Sequence, residues 1–460
     1  MSTIANVVAD FGADPTGTTD STAAFNNAIG SGKGTIYVPA GLYIIGPLNN
    51  LNNAQQIVGD GIGRSIIRQN TPISSGGLIN GIGVSDIRIK DLTIDGQLQA
   101  GTGVALINLN ETNRVIIDGV CFLNFTVFAI SLNFSMYFKV INCHFDRSAS
   151  SISQNQAIVV SSSSGQSGYG RISQNTMLNS GMDISAVFTI ISENIIDTLG
   201  FGGGITTEQD PDSAYMTIIG NICLNAGSLG PDDNATVGSG IENWAPYSII
   251  ANNRLSANYG DGLDQGGAFS LVSCNHIQGN GKYGSRDWFG IAARYGTSSY
   301  NGASSAYLGN YVIAINGEED TQKLGIGEQI LSGESQTRLY AMRYVANIVV
   351  QHPGGTTYSG TNYSISSPYP AFSALSYRAV GTITLPALAA GAIAEEAITV
   401  GNTEANDLSV SAVNGAPATV LWGALATAAN VITLRVGNIG SASTIATPVA
   451  IIARSDQSPD

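Results

Sequence analysis

Along the middle of the chain a short apolar run, a polar turn and a second apolar run recur as a unit. The copies are RISQNTML around Asn175, TIISENII around Asn194, TIIGNICL around Asn221, SIIANNRL around Asn253, SLVSCNHI around Asn275 and YLGNYV around Asn310. Earlier copies carry cysteine near the same turn, VIIDGVCF around Cys121 and KVINCHF around Cys143. The intervals from Asn175 to Asn310 are 19, 27, 32, 22 and 35 residues. A constant core with insertions of variable length predicts a parallel β-helix, with loops leaving one side of each coil. The apolar runs are short and β-branched, and no helical 3.6-residue period passes through them. One coil cannot bury its apolar strand alone, so Val, Ile and Leu stack on the coils above and below at about 4.8 Å. Asn tolerates the left-handed backbone of a tight turn, and its amide can bond the Asn of the next coil. These asparagines are therefore expected to be structural ladders, each in the left-handed conformation, and not ligands.

The two ends depart from the repeat. Thr18 to Ile29 carries Asp20 or Ser21 as a cap and Ala24, Phe25, Ala28 and Ile29 at helical spacing, which predicts a short amphipathic helix closing the open end of the solenoid. A strand, TIYVPAGLYII, follows, and then GDGIGR from Gly59 to Arg64. Its glycines are spaced like a phosphate loop, but no helix follows, so it is expected to be a tight turn between coils. Near Tyr358 to Ala374 the chain turns irregular, and from Gly381 alternating segments such as GTITLPAL and NVITLRV predict antiparallel strands. The expected organisation is a cap and helix start over 1–50, a parallel β-helix over 51–350, a linker or shoulder over 351–380 and a β-sandwich over 381–460.

Composition narrows the chemistry. The 460 residues carry 19 Lys and Arg against 33 Asp and Glu, a net charge of −14, and such a surface repels phosphate backbones. Nucleic acid is not an expected partner. Charged residues make up 11% and Gly numbers 56, which excludes a disordered chain and fits many tight turns. No apolar stretch is long enough to span a bilayer, since Leu385 to Ala394 stops at Glu395, so membrane insertion is not expected. Met1 to Gly12 lacks a basic segment and an apolar core, so no signal peptide is expected there. Cys121, Cys143, Cys223 and Cys274 lie far apart and are expected to be small buried hydrophobes. His144, His276 and His352 form no metal-binding pair, and no metal or cofactor is expected. Asp232 to Glu242 has some features of a calcium loop but puts Val237 where glycine is needed.

ADFGADPTGTTDSTAAFNNAI and GTIYVPAGLYII, within Ala9 to Ile45, resemble the amino-terminal signature of pectate-lyase-like right-handed β-helix proteins. The carboxy-terminal GTITLPALAAGAIAEEAITV and WGALATAANVITLRVGNIGSAS resemble the small β domains that end many phage tail spikes and fibres. The resemblance implies an all-β, right-handed parallel β-helix, a homotrimer, and depolymerase activity on a bacterial surface polysaccharide. It also implies a place on the virion tail, outside the cell after lysis. Tail spikes usually carry an amino-terminal docking domain, whereas this chain begins at the β-helix signature, so the anchor is expected to be absent from it or attachment to differ.

Several turns are followed by a Gly-apolar pair and then by polar residues. Aligned on that pair, Gly204-Ile205-Thr206-Thr207-Glu208, Gly240-Ile241-Glu242-Asn243-Trp244, Gly262-Leu263-Asp264-Gln265-Gly266 and Gly290-Ile291-Ala292-Ala293-Arg294 fall into register. If the apolar residues point inward, Thr206, Glu242, Asp264 and Ala292 form one outward column, with Glu208, Trp244 and Arg294 beside it. Adjacent coils would set Glu242 and Asp264 roughly 5 Å apart at the backbone. Repulsion between two close carboxylates keeps one protonated and the other ionised, which supplies an acid and a base or nucleophile for glycoside hydrolysis. Glu208 is a reserve carboxylate at wider spacing. Trp244, Trp288 and Tyr295 are candidate sugar platforms, and Arg294 or Arg286 a partner for a sugar carboxylate. Asp261, Asp287, Asp210 and Asp212 are weaker candidates. A polysaccharide lyase using Arg286, Arg294 and Tyr295, and a glycan-binding fibre that cuts nothing, are the rival expectations.

Overall fold

The computed structural model describes residues 3–97, 105–147, 156–162, 167–198, 203–208, 213–227, 238–281, 288–295 and 305–314, together with later strands between 322 and 456. It divides into two compact units, one of residues 1–337 and 342–366, the other of 338–341 and 367–460.

The first unit is a parallel β-helix. Its strands form two parallel sheets, one of 24 strands and one of 10, so a typical coil gives two short strands to the larger sheet and one to the smaller. One such coil runs through Ile241–Asn243, Ile249–Ala251 and Arg254–Ser256. Register stacks like on like. Ile117, Val140, Ile172, Ile191, Ile218, Ile250, Val272 and Tyr307 form one continuous inner row, and all are fully buried. On the smaller sheet Met182, Ile205, Ile241, Leu263, Ile291 and Ile326 form another. At about 25 cal/mol per Å², such rows supply the dominant stabilising term, shared between neighbouring coils.

The asparagine ladder is present. The Nδ2 of Asn175 donates to Oδ1 of Asn194 at 2.9 Å, and the pattern continues through Asn221, Asn253, Asn275 and Asn310 at 2.9 to 3.0 Å. The expected left-handed conformation falls one residue earlier. Gln174, Glu193, Gly220, Asn252, Cys274 and Gly309 carry the positive φ of 54° to 69°. The reason is directional. The ladder amide must point into the stack to bond both neighbouring coils, so the residue before it takes the reversal of the backbone. That displacement also exposes Cys274, whereas Cys121, Cys143 and Cys223 are buried as expected.

A second ladder lies on the surface. Tyr137, Tyr169, Phe188, Tyr215, Tyr247 and Phe269 stack in succession, with ring centroids 4.7 to 5.2 Å apart and planes within 20° of parallel. All six have positive φ, 49° to 58°, and remain 45% to 55% exposed. Left-handed backbone is costly for bulky residues, so six in a row is a feature the stack must stabilise.

At the amino-terminal end the helix spans Thr22–Gly30, after a strand at Thr16–Asp20, so Ser21 takes the cap position, one of the two expected. Asp20 Oδ1 accepts from the amide of Thr22, and this fixes the start there. Ala24, Phe25, Ala28 and Ile29 are buried, as expected. The GDGIGR segment is a turn between strands Gln56–Gly59 and Ser65–Gln69. In the second unit, Tyr377–Leu385, Thr447–Asp456 and Leu408–Asn414 form one antiparallel three-stranded sheet. Ile393–Thr399, Val431–Asn438 and Val420–Ala428 form another.

Candidate active site

The smaller sheet carries the chemistry. Its register pairs Asp183 with Thr206, Thr206 with Glu242, Glu242 with Asp264 and Asp264 with Ala292. Alternation does the rest: Ile241 and Asn243 are buried on either side of the partly exposed Glu242. The inner polar row is itself bonded, Thr207 Oγ1 to Asn243 Oδ1 at 2.8 Å and Asn243 Nδ2 to Gln265 Oε1 at 3.0 Å. These bonds hold the register from inside the solenoid.

Around Glu242 and Asp264 a charged cluster forms. Arg294 donates from Nε to Asp264 Oδ1 and from Nη2 to Asp261 Oδ2, the latter at 2.9 Å. The amide of Phe289 donates to Asp261 Oδ1 at 2.7 Å. The amide of Ser239 donates to Glu242 Oε1 at 3.1 Å. The column is less open than alternation implies, because Asp264 is only 6% exposed and Asp261 is fully covered. Three carboxyls and one guanidinium would leave a net charge of −2 if all were ionised. Burial, reinforced by the charge of Asp264, pushes the Glu242 carboxyl up to about 7. Burial and Asp264 likewise push Asp261 up to about 7. Burial also raises Asp264, with the charge and hydrogen bond of Arg294 opposing part of the rise. Burial disfavours the charged guanidinium, and the two aspartates more than offset this. The arrangement presents a Glu242 carboxyl that keeps its proton up to about pH 7 beside an Asp264 ion-paired to Arg294.

Of the residues picked out in the sequence, Glu242, Asp264 and Arg294 come together, and Asp261 joins them. Arg294 is turned toward protein carboxylates. Trp244 lies beside the cluster, with its ring over Gly266. A Cβ there would sit 2.0 Å from Trp244 Cε3, so glycine makes room for the indole. Glu208 stands apart from Glu242. It is exposed, and its charge acts on Asp183. Trp288 and Tyr295 are the two ends of strand Trp288–Tyr295, pairing with Gln322 and Ile330. Arg286, Asp287, Asp210, Asp212 and most of the Asp232 to Glu242 loop lie outside the described residues, as does the segment around Tyr358.

Asp183 was not picked out. It lies in the column one coil before Thr206, with Gln156 Nε2 donating to its Oδ2 at 3.1 Å. Burial, helped by Glu208, pushes it up to about 7. Gly181-Met182-Asp183 repeats the Gly-apolar-acid pattern of the later coils, so the signal was there to be read. Among the described residues no group of three or more His, Cys, Asp or Glu is arranged to hold a metal ion. The helix among them is not long and apolar enough to cross a membrane.

Residues 4–230 match the family model described as rhamnogalacturonase A/epimerase, pectate lyase-like. Among curated protein sequences nothing matches. The fold is similar to that of the A-module of the Azotobacter vinelandii mannuronan C-5 epimerase AlgE4, at 16% identity and TM-score 0.55 over 75% of this chain and 95% of that one. It is also similar to the catalytic unit of a GH87 α-1,3-glucanase from Streptomyces thermodiastaticus, at 17% identity and TM-score 0.55 over 74% and 68%. A mutant tailspike protein of E. coli bacteriophage HK620, in complex with a pentasaccharide, is similar over 99% of this chain and 94% of its own, at 14% identity and TM-score 0.55. The amino-terminal signature, the stacked coils and these likenesses agree: residues 4–230 match a pectate-lyase-like family model, and the chain shares its parallel β-helix fold with phage tailspikes.

Proposed function

We propose that this chain binds and cleaves a bacterial surface polysaccharide by glycoside hydrolysis. The observation that carries the reading is the Glu242–Asp264 register, with Arg294 ion-paired to Asp264 while burial lets Glu242 keep its proton up to about pH 7. A carboxylic acid that keeps its proton up to about pH 7 can protonate a glycosidic oxygen, and a neighbouring carboxylate, when ionised, stabilises the positive charge that develops on the sugar ring. Trp244 offers an apolar face for a sugar beside the pair. The names of three similar structures, a glucanase, a mannuronan epimerase and a tailspike bound to a pentasaccharide, support a polysaccharide as the ligand. Arg294 is engaged with two aspartates, which favours hydrolysis over elimination, since a lyase needs a cation on the substrate's own carboxylate.

The test is incubation with a panel of bacterial capsular polysaccharides, exopolysaccharides and O-antigens, following reducing ends and ultraviolet absorbance together. New reducing ends without absorbance are expected. Absorbance from a new sugar double bond would make the protein a lyase, and saturable binding with full-length product would make it a glycan-binding fibre.

The same reading makes the protein a homotrimer on a phage tail. Six stacked rings, each about half exposed, form an apolar strip of several hundred Å², at the upper end for a lone soluble chain. Their faces are taken up by one another, so the edges left to solvent suit a protein surface better than a sugar ring. Sedimentation should give a trimer. Tyr215→Glu should shift it toward monomer, and a monomeric wild type would remove the assembly from the reading.

A further inference from the structure

We infer that Asp183 is the general base of this site, acting across Thr206 on the water that attacks the substrate, with Glu242 as the acid. The inference rests on the hydrolytic reading above. It differs from that reading in taking the base role away from Asp264.

The geometry carries it. Asp183, Thr206 and Glu242 occupy successive places in one outward column, so Asp183 and Glu242 are two coils apart, roughly 10 Å at the backbone. Carboxyls that invert a sugar centre stand about 6.5–9.5 Å apart, which leaves room for a water, whereas retaining pairs stand about 5 Å apart. The residues between them are small. A Cβ added at Gly203 would sit 2.7 Å from Thr206 Oγ1 and 3.5 Å from Glu242 Oε1. Glycine there keeps the floor between the two carboxyls low.

Asp264 fits the base role less well. It is 6% exposed, and its Oδ1 already accepts from Arg294. Asp183 is partly exposed. Its Oδ2 accepts from Gln156 Nε2, while its Oδ1 is buried with no hydrogen-bond partner in the structure. Buried acceptors are ordinarily satisfied, so one left over needs an explanation, and a water admitted beside it when substrate binds supplies it. Burial and the charge of Glu208 raise its affinity for a proton, so once ionised it takes one from water readily.

In the step, water oxygen bonds to the anomeric carbon as the glycosidic C–O bond breaks. The water's proton passes to Asp183, and the proton of Glu242 passes to the leaving oxygen. Solvent then returns each carboxyl to its starting state.

The experiment uses the full chain and the polysaccharide of the panel that the wild type cleaves. Proton NMR of the first-formed reducing end should show inverted anomeric configuration. Asp183→Asn, which is isosteric, should lower kcat by about 10²–10⁴-fold with little change in KM. Asp183→Ala opens the base position, and added azide should restore its turnover, which a merely structural residue would not allow. Retained configuration, or wild-type kcat in Asp183→Asn, overturns the inference. Glu242→Gln separates the two readings: loss of activity there with full activity in Asp183→Asn removes only the role of Asp183. Full activity in both, or no polysaccharide cut, removes the hydrolytic reading as well.

Discussion

Glu242→Gln is expected to abolish most polysaccharide cleavage, by about 10²–10⁴-fold in kcat, and to make the protein more stable at pH 8. Both effects come from one cause. Burial and the charge of Asp264 raise the Glu242 carboxyl to about 7 from an ordinary 4.5. Between those two values the folded chain keeps a proton that the unfolded chain has released. The stability this group gives is therefore full below about pH 4.5, falls as pH rises to about 7, and is flat beyond. The cost at pH 8 is on the order of 3 kcal/mol, and glutamine does not bear it. Melting curves at pH 4 and pH 8 test this, with the variant gaining over wild type only at the higher pH. Equal gains at both values would mean that the side chain is merely badly packed, and unchanged kcat would remove it from the chemistry.

Arg294→Met should produce the largest loss of stability. Its guanidinium is the shared partner of Asp261 and Asp264, both nearly or fully buried. Removing one member of such a group leaves buried charge uncompensated, which typically costs about 3–5 kcal/mol. The loss should shrink toward pH 5, where the aspartates can take up protons in place of the lost cation. Asp264→Asn added to Arg294→Met should recover part of it. Arg294 also holds the Glu242 carboxyl down, so in any variant that folds, the alkaline limb of the activity profile should move to higher pH. An Arg294→Met protein equally stable at pH 8 would show that the cluster is solvated and its charges of little consequence.

Much of this was legible in the chain because a β-helix repeats its rules. Once Ile205, Ile241, Leu263 and Ile291 are set inward, period-two alternation and parallel register place Thr206, Glu242, Asp264 and Ala292 without further information. What alternation does not report is coverage. Asp264 and Ala292 point away from the core yet are almost wholly covered. Asp261 ranks only as a weaker candidate in the sequence because it precedes Gly262 in a turn, and its importance comes from Arg294 reaching back to it from the next coil. The left-handed position was misplaced by one residue because Asn is suited both to that conformation and to the ladder, and the ladder took it. The surface aromatics were legible and went unread. Tyr169, Phe188, Tyr215, Tyr247 and Phe269 each stand six residues before a ladder asparagine, and Tyr137 stands six before Cys143.

The asparagine ladder has a consequence for how such a molecule can change. Its bonds stay near 3 Å whether the chain between successive rungs is 19 residues long or 35. Each coil is in effect a fixed rung with an exchangeable loop, and lengthening a loop leaves the phase of the strands untouched. New walls can therefore be built around the carboxylate column, and old ones removed, without moving the carboxylates themselves. A lineage would alter its surface by exchanging loops and keep the spacing of the column by inheritance.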